Sequence, residues 1–244
     1  MSTAAARIEQ ALARQIFRGE RRLGETLPPV RALAVQFAVT VPTIQRAIDR
    51  LAATGLVTVR QGSGITVNDP LRLGDLSVVG ALLEACADQT ERVAPMLADF
   101  LELRRILATQ LIRTRLDKLL EAIPTMLGPV QRLTAATELG EVAAADADLT
   151  RIVVEAAGNT AVNAVFYAIE RLAIRVPQVA EAVYGDRAAH QAAVAGVVAA
   201  LMSSEGDAAR AAEGVDAVLG AWDAGSVARF RRAGAATGAS PSLS

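Results

Sequence analysis

Polar side chains able to bind DNA recur on one face of a short helical pattern in the segment "TVPTIQRAIDRLAATG". Its apolar residues recur at helical spacing and predict a buried stripe of Ile44, Ala47, Ile48 and Leu51. The same spacing turns Thr43, Gln45, Arg46 and Arg50 outward. Gln can bind an adenine edge bidentately, Arg can bind guanine or phosphate, and Thr43, with Thr40 at the helix start, can bond phosphate. Taken one at a time, these residues would equally suit an ordinary solvated helix face.

Two helical patterns precede this one and an alternating pattern follows it. The segments "ARIEQALARQIFRGE" and "PVRALAVQFAV" carry apolar residues at helical spacing, the first ending near Gly19 and the second following two prolines. After Gly55 the spacing of the apolar residues becomes alternating on both sides of "RQGSG", which predicts a β-hairpin. This order of elements is typical of a winged helix-turn-helix, a fold that places one helix in the DNA major groove.

The hairpin turn would form the tip of the wing, close to the DNA backbone or minor groove. Its residues are Gln61, Gly62, Ser63 and Gly64. The two glycines could also simply serve a turn that needs positive φ.

Charge is distributed unevenly along the chain. Residues 1–69 hold nine arginines, no lysine and five acids, a formal charge of +4, whereas the remainder carries −5. A basic N-terminal part agrees with binding of a polyanion there, although many solvated surfaces carry as much charge.

Composition excludes several classes of protein. The 52% hydrophobic content at a net charge of −1 predicts a soluble globular chain with a sizeable core. No apolar run is long enough for a membrane span and the start lacks a signal peptide, so we expect a cytoplasmic protein. The single cysteine, Cys86, excludes an internal disulfide, and the single histidine, His190, leaves little material for a histidine-rich metal site or a Ser-His-Asp triad.

Beyond the polar segment "NDPLRLGDLS" nearly every pattern is helical, with segments expected over 76–87, along a long helix through Leu111, and from near Pro129 and Glu141 onward. We therefore predict a mainly α fold. It comprises a winged helix-turn-helix over residues 1–69, an antiparallel bundle of about six or seven helices over 70–232, and a disordered tail over 233–244.

The N-terminal part resembles the DNA-binding domain of GntR-family bacterial transcription regulators. The matching positions, in order, are Gly24, Leu27, Pro28, Arg31, Leu33, Ala34, Val39, Thr43, Ala47, Leu51, Gly55, Leu56, Gly62, Gly64 and Val67. The resemblance implies that Arg31 contacts the DNA backbone and that the wing tip approaches the minor groove. Val41 and Gln45 stand where the family usually has arginines, which implies an operator sequence of its own.

The helical part is similar to effector domains of the FadR branch of that family, through "FLELRRILATQLIRTRL" and "DADLTRIVVEAAGN". Many members of this branch bind a divalent metal through one Asp and three His. Here Asp146 matches the Asp and His190 matches one His, but Thr150 replaces another and the final helix has none. We therefore predict no metal and no other cofactor.

A metal-free form of this branch binds long-chain acyl-CoA, and Arg104 and Trp222 fall where that form has an Arg and a Trp near its ligand. The resemblance thus implies an effector site containing Arg104, Asp146, His190 and Trp222. The core of an ordinary bundle would have the same aliphatic composition. A buried Arg104 would need an anionic partner, either Asp146 or a ligand.

We predict a homodimeric transcriptional regulator, a repressor, that binds a pseudo-palindromic double-stranded DNA operator and responds to a small molecule such as an acyl-CoA or another organic acid. The alternative is an effector-independent repressor whose helical domain only dimerises. An enzyme is a remote third possibility, because Lys118, the single lysine, lies on an ordinary charged helix face. We therefore expect no catalytic residues.

Overall fold

The computed structural model describes residues 3–60, 62, 64–73 and 76–238 of the chain. Its internal contacts divide the protein into two units, Met1–Ala87 and Asp88–Ser244.

The first unit contains short helices and a small sheet. In chain order its elements are α1 (Ala4–Phe17), β1 (Thr26–Leu27), α2 (Val30–Gln36), α3 (Val41–Ala53), β2 (Val57–Arg60), β3 (Gly64–Val67), α4 (Pro70–Leu73) and α5 (Leu76–Ala85). The sheet is antiparallel with strand order β1-β3-β2. The predicted three helices and hairpin are confirmed, and β1 is an additional strand.

Apolar stripes of α1, α2 and α3 form the core of this unit. Leu12 on α1, Leu33 on α2, and Ile44 and Ile48 on α3 are fully buried. Each such side chain contributes about 1.5–3 kcal/mol through removal from water. Because α3 packs on both other helices, its apolar face is fixed inward and its polar face is left outside.

The hairpin has the register that its alternating pattern requires. Val57 pairs with Val67 and Val59 with Ile65. On the other side of β3, Leu27 of β1 also pairs with Ile65. The central strand is therefore held on both edges, which anchors the base of the wing.

Helices α4 and α5 belong to the first unit. The polar segment "NDPLRLGDLS" contains α4, and α5 packs on α1. Next to α5, the buried Cys86 thiol lies 3.6 Å from the carbonyl oxygen of Phe17, to which it can donate. The structural division therefore falls after Ala87, although we expected the DNA-binding domain to end at residue 69.

The second unit is built from helices alone within the part of the chain that the structure describes. They are α6 (Thr90–Ala135), α7 (Leu139–Ala157), α8 (Thr160–Arg175), α9 (Pro177–Tyr184), α10 (Arg187–Met202) and α11 (Ala208–Gly238). The two longest, α6 and α11, pack on each other, α7 packs on α6, and α10 packs on α11. The predicted mainly α fold with a helical bundle is confirmed.

Two details of this bundle differ from expectation. Pro129, expected near the start of a helix, lies inside α6, whose backbone leaves helical geometry at Arg115 instead (φ −144°, ψ 24°). The expected disordered tail from residue 233 is wrong as far as Gly238, because α11 continues to that residue. Residues 239–244 of the expected tail lie outside the described residues.

The start of α7 has a reciprocal cap. The Glu138 side chain accepts from the backbone of Glu141, and the Glu141 carboxylate accepts from the backbone N–H groups of Thr137 (2.8 Å) and Glu138 (3.2 Å). These bonds satisfy donors that a helix start otherwise leaves unpaired. No described helix combines the length and hydropathy that a membrane span would need.

Candidate DNA-binding surface and effector cavity

The first candidate site is the outward face of α3. Gln45, Arg46 and Arg50 are exposed on it and Thr43 is half-buried, while the opposite face is buried in the core. Thr40 occupies the N-cap position with extended backbone, and its hydroxyl lies 2.9 Å from that of Thr43. The start of the helix therefore presents two neighbouring hydroxyls that could contact a phosphate. Its backbone offers less, because Pro42 has no N–H and the Thr43 N–H already donates to the Thr40 carbonyl oxygen at 3.0 Å.

The Gln45 side chain is pre-oriented by its own helix. Its Nε2 donates to Oδ1 of Asp49 one turn later, at 3.0 Å. This bond occupies part of the donor capacity of the amide and leaves its oxygen available as an acceptor. Sequence reasoning did not single out Asp49, although its spacing of four residues from Gln45 was a usable signal.

The arginines of the surface differ in their surroundings. Arg31 on α2 and Arg46 on α3 are exposed, and neither side chain has a hydrogen-bond or ion-pair partner among the residues that the structure describes. Arg50, in contrast, lies 3.3 Å from Glu9 of α1. Arg31 and Arg46 therefore present unpaired positive charge, whereas that of Arg50 is partly compensated.

The wing tip depends on glycine backbone conformations. Gly62 and Gly64 have φ values of +82° and +87°, and both are exposed. A Cβ on Gly64 would also lie 3.2 Å from Cγ2 of Thr26. Residues with side chains rarely adopt such φ values, so the turn requires glycine here. The other two predicted tip residues, Gln61 and Ser63, lie outside the described residues.

The second candidate site is a cavity of about 170 Å³ inside the helical unit. All four residues predicted for an effector site line it: Arg104, Asp146, His190 and Trp222. They come from α6, α7, α10 and α11, so the packing of the bundle brings them together.

Arg104 is paired with an aspartate that the sequence analysis did not name. Its Nη2 donates to Oδ1 of Asp223 at 2.8 Å, so the carboxylate that pairs with it is Asp223 and not the predicted Asp146. Arg105 extends the cluster, since its Nη1 donates to Asp216 at 2.7 Å and its Nε lies 3.4 Å from Asp223 Oδ2. Burial raises the pKa of the Asp223 carboxyl, while the two guanidinium groups act in the opposite direction.

A second group surrounds Asp146. His190 Nε2 lies 3.2 Å from Asp146 Oδ1, and the Tyr184 hydroxyl donates to Asp146 Oδ2 at 3.3 Å. The Tyr184 and His190 rings meet edge to face at 5.5 Å, and those of His190 and Trp222 do so at 5.2 Å. Burial raises the pKa of Tyr184 well above its ordinary value, so its hydroxyl stays a donor.

Several polar atoms at the cavity remain unpaired. Neither ring nitrogen of His190, nor Nε1 of Trp222, nor Nε of Arg104 has a hydrogen-bond partner within the described part of the chain, and all four atoms are buried. The 3.2 Å approach of His190 to Asp146 is an ion-pair distance without hydrogen-bond geometry. Buried polar atoms are normally paired, so these atoms mark a place for a ligand or water.

The described residues contain no group of three or more His, Cys, Asp and Glu side chains able to hold a metal ion. The Asp146 and His190 pair adjoins Thr150, which also lines the cavity.

The fold and the surface together define a winged helix-turn-helix protein with a helical unit that contains a cavity. Residues 4–67 match the sequence model of the family described as "Bacterial regulatory proteins, gntR family". The chain belongs to the GntR family, which confirms the recognition made from the sequence. The match ends two residues before the predicted end of the DNA-binding domain.

Among curated proteins, the chain is 35% identical over 105 residues to the HTH-type transcriptional regulator Mce2R of Mycobacterium tuberculosis, covering 37% of this chain and 44% of that protein. The chain therefore spans less than half the length of that relative. It is 30% identical over 171 residues to the uncharacterized HTH-type transcriptional regulator Rv0494, also of Mycobacterium tuberculosis, covering 67% of this chain and 66% of that protein.

Among solved structures, one described as "Lar controls the expression of the Listeria monocytogenes agr system and mediates virulence" aligns with 93% of this chain and 97% of its own. The TM-score is 0.55 at 16% sequence identity. At that identity the likeness supports the fold of both units and nothing about ligands.

Proposed function

We propose that this protein is a transcriptional repressor that binds a double-stranded DNA operator and is controlled by a small-molecule effector. The carrying observation is the outward face of α3, where Gln45 and Arg46 are exposed and Thr43 is half-buried, opposite a fully buried apolar stripe. In winged helix-turn-helix proteins such a face enters the major groove. The relatives named as transcriptional regulators support this proposal.

The proposed contacts fall into two kinds. Thr40, Thr43 and Arg31 would contact phosphates and set the position of the domain, while Gln45 and Arg46 would reach base edges. The glycines of the wing tip would allow close approach to the backbone or minor groove. Arg50 would add a weaker electrostatic contribution, because Glu9 already compensates part of its charge.

We propose that the operator is pseudo-palindromic and is bound by a homodimer. One domain of this size contacts too few base pairs to select a site in a genome, and two-fold protein symmetry is mirrored in the operator. A dimer bound across a promoter would block transcription, which is the basis of the proposed repressor role. Because the proposed partner is chromosomal DNA, we propose the cytoplasm as the location.

The cavity favours effector control over a helical unit that only dimerises. A bundle that serves solely for association gains nothing from a cavity with unpaired buried polar atoms at His190 and Trp222. An effector bound there would alter operator affinity by stabilising one arrangement of the helices.

Fluorescence anisotropy with DNA from upstream of the protein's own gene tests the proposal. We expect binding at nanomolar concentrations that weakens steeply as salt increases, because each phosphate contact releases counterions. A scrambled fragment of the same length is the control. Equal binding to both fragments, or binding that salt does not weaken, would contradict the proposal.

A further inference from the structure

The wall of the cavity in the helical unit combines an apolar part with one polar cluster. The apolar part includes Ala108, Ile112, Leu149, Val153, Val194 and Val197. The polar side chains lie next to one another: Arg104 is stacked on Trp222, Trp222 meets His190, and His190 faces Asp146. A molecule that fills this space should therefore be mainly apolar and carry its polar group where it meets this cluster.

The volume limits the size of the occupant. A dry cavity of about 150 Å³ in another protein holds one benzene molecule. The 170 Å³ found here corresponds to a molecule of roughly six to ten non-hydrogen atoms on the same basis. The nucleotide portion of a CoA thioester is far larger than this space and would have to lie outside it.

The charges around the cavity are already balanced. The Arg104 guanidinium is bonded to Asp223, and Arg105 is bonded to Asp216 and lies near Asp223. Any positive charge on His190 would face the Asp146 carboxylate at 3.2 Å. An anionic ligand would thus enter a low-dielectric space in which no described lining residue offers an uncompensated cation, which is unfavourable.

Besides the two ring nitrogens of His190 and the Nε of the Arg104 guanidinium that is bonded to Asp223, the cavity wall offers one uncharged unpaired donor at Trp222. The indole N–H of Trp222 can only donate, it is buried, and it has no partner among the described residues. Trp222 is 7% exposed and His190 is 2% exposed. A ligand with one acceptor atom would satisfy a donor that is otherwise buried without a bond.

We infer that the effector is a neutral, mainly apolar small molecule carrying one hydrogen-bond acceptor, and that Trp222 Nε1 donates to that acceptor. This inference rests on the proposed function, in which the cavity holds an effector. It differs from the acyl-CoA or organic acid that the family resemblance implies.

The chain contains a spectroscopic reporter for this inference. Trp222 is its single tryptophan, so emission excited at a wavelength that tyrosine does not absorb reports on Trp222 at the cavity. We would titrate the full chain with 2-heptanone, with hexanoate, which has about the same size, and with hexanoyl-CoA. We expect a saturable change in Trp222 emission with the ketone at a Kd about tenfold or more below that of hexanoate, and no saturable change with hexanoyl-CoA.

Two variants test the location and the bond, with calorimetry as the readout because one of them lacks the fluorophore. Trp222→Phe keeps an aromatic ring but removes the donor, and we expect the ketone to bind about tenfold more weakly. Val197→Phe fills the cavity, and we expect it to abolish ketone binding. Circular dichroism and urea denaturation would show that both variants are folded.

The outcomes separate the ligand class from the proposed function. Tighter binding of hexanoate or hexanoyl-CoA than of the ketone, no binding of any probe, or a Trp222→Phe affinity equal to wild type would overturn the inference. Operator affinity is measured in parallel. If the ketone binds as expected but operator affinity does not change, the ligand class is upheld and effector control fails. If hexanoate binds more tightly and alters operator affinity, effector control is upheld and the ligand class fails.

Discussion

The guanidinium carbon of Arg104 lies 4.4 Å from the centre of the Trp222 indole ring. This cation–π contact joins α6 to α11, the two helices that pack most extensively in the bundle. The same guanidinium is bonded to Asp223, the next residue after Trp222. One arginine therefore fixes the position of the indole at the cavity and depends on one aspartate for charge balance.

Replacing Asp223 by alanine should destabilise the protein strongly. The pair is mostly buried, with 19% and 12% of the Arg104 and Asp223 side chains exposed, so the change would leave a buried charge without its partner. We expect a loss of about 3–5 kcal/mol in the free energy of unfolding, measured by urea denaturation. Asp216→Ala removes a half-exposed partner of Arg105 and is the matched control, expected to cost about 1 kcal/mol or less. Equal losses in both variants would contradict this account.

Replacing Arg31 by alanine should weaken DNA binding without changing sequence preference. Its side chain is exposed and unpaired within the described residues, and we propose that it contacts a phosphate. The slope of log affinity against log salt should fall by about 1. Arg14→Ala removes the same charge from the exposed side of α1 and should leave the slope unchanged. Fluorescence anisotropy titrations at several salt concentrations, with operator DNA and with scrambled DNA, measure the salt slope and the sequence preference of both variants.

Replacing Arg46 by alanine should change sequence preference, unlike the replacement of Arg31. If Arg46 reaches a base edge, operator affinity should fall by about 1–3 kcal/mol, while affinity for scrambled DNA changes less. Sequence preference, measured by selection from a randomised DNA pool, should relax at one position in each half-site. A uniform loss on both DNAs with unchanged preference would place Arg46 at a phosphate instead.

Asp49 is expected to influence which base Gln45 selects. Its carboxylate holds the Gln45 amide nitrogen at 3.0 Å, so Asp49→Ala should free that nitrogen to donate to a base. We expect a changed base preference at one operator position, and tighter binding overall because one negative charge leaves the DNA-facing helix. In a Gln45→Ala variant, Asp49→Ala should still tighten binding but should no longer change the base preference. A changed preference that persists without Gln45 would show that Asp49 contacts DNA itself.

The elements of the first unit could be predicted because their apolar spacing is local. Ile44 and Ile48 recur at helical spacing, and both are buried. Their spacing alone was therefore enough to identify the buried face of the helix. The two residues of β1 are too few to show alternation, and their pairing with β3 depends on a contact between Leu27 and Ile65 that is distant in sequence. The end of α11 was missed because alanine and glycine near residue 233 resemble a tail in composition, although alanine favours helix.

The cavity residues could be named from family resemblance, but their partners could not. Asp223 and Tyr184 are far in sequence from Arg104 and Asp146, and only the packing of the bundle brings each pair together. The sequence did contain one clue to Asp223, because it directly follows Trp222, which the resemblance had placed near the ligand. Resemblance to the family placed Arg104 near a ligand, and side-chain contacts were needed to show that its charge is already compensated.

The cap of α7 should make stability depend on pH. The Glu141 carboxylate accepts backbone N–H bonds from Thr137 and Glu138, and these bonds lower its pKa below the ordinary 4.5. A pKa that is lower in the folded than in the unfolded protein means that the ionised form stabilises the fold. This contribution is complete above the unfolded value and is lost as pH falls through the lower folded value. Glu141→Gln should therefore be less stable than wild type near neutral pH, and the difference should shrink in acid.

Urea denaturation of wild type and Glu141→Gln between about pH 7 and about pH 3 measures this dependence. Glu121→Gln is the control for loss of one negative charge, since that exposed side chain on α6 has no hydrogen-bond partner among the described residues. We expect the control to follow wild type across the range. A Glu141→Gln difference that stays constant with pH would mean that the helix cap does not depend on the charge of the carboxylate, and that the amide oxygen of glutamine accepts the two backbone bonds equally well.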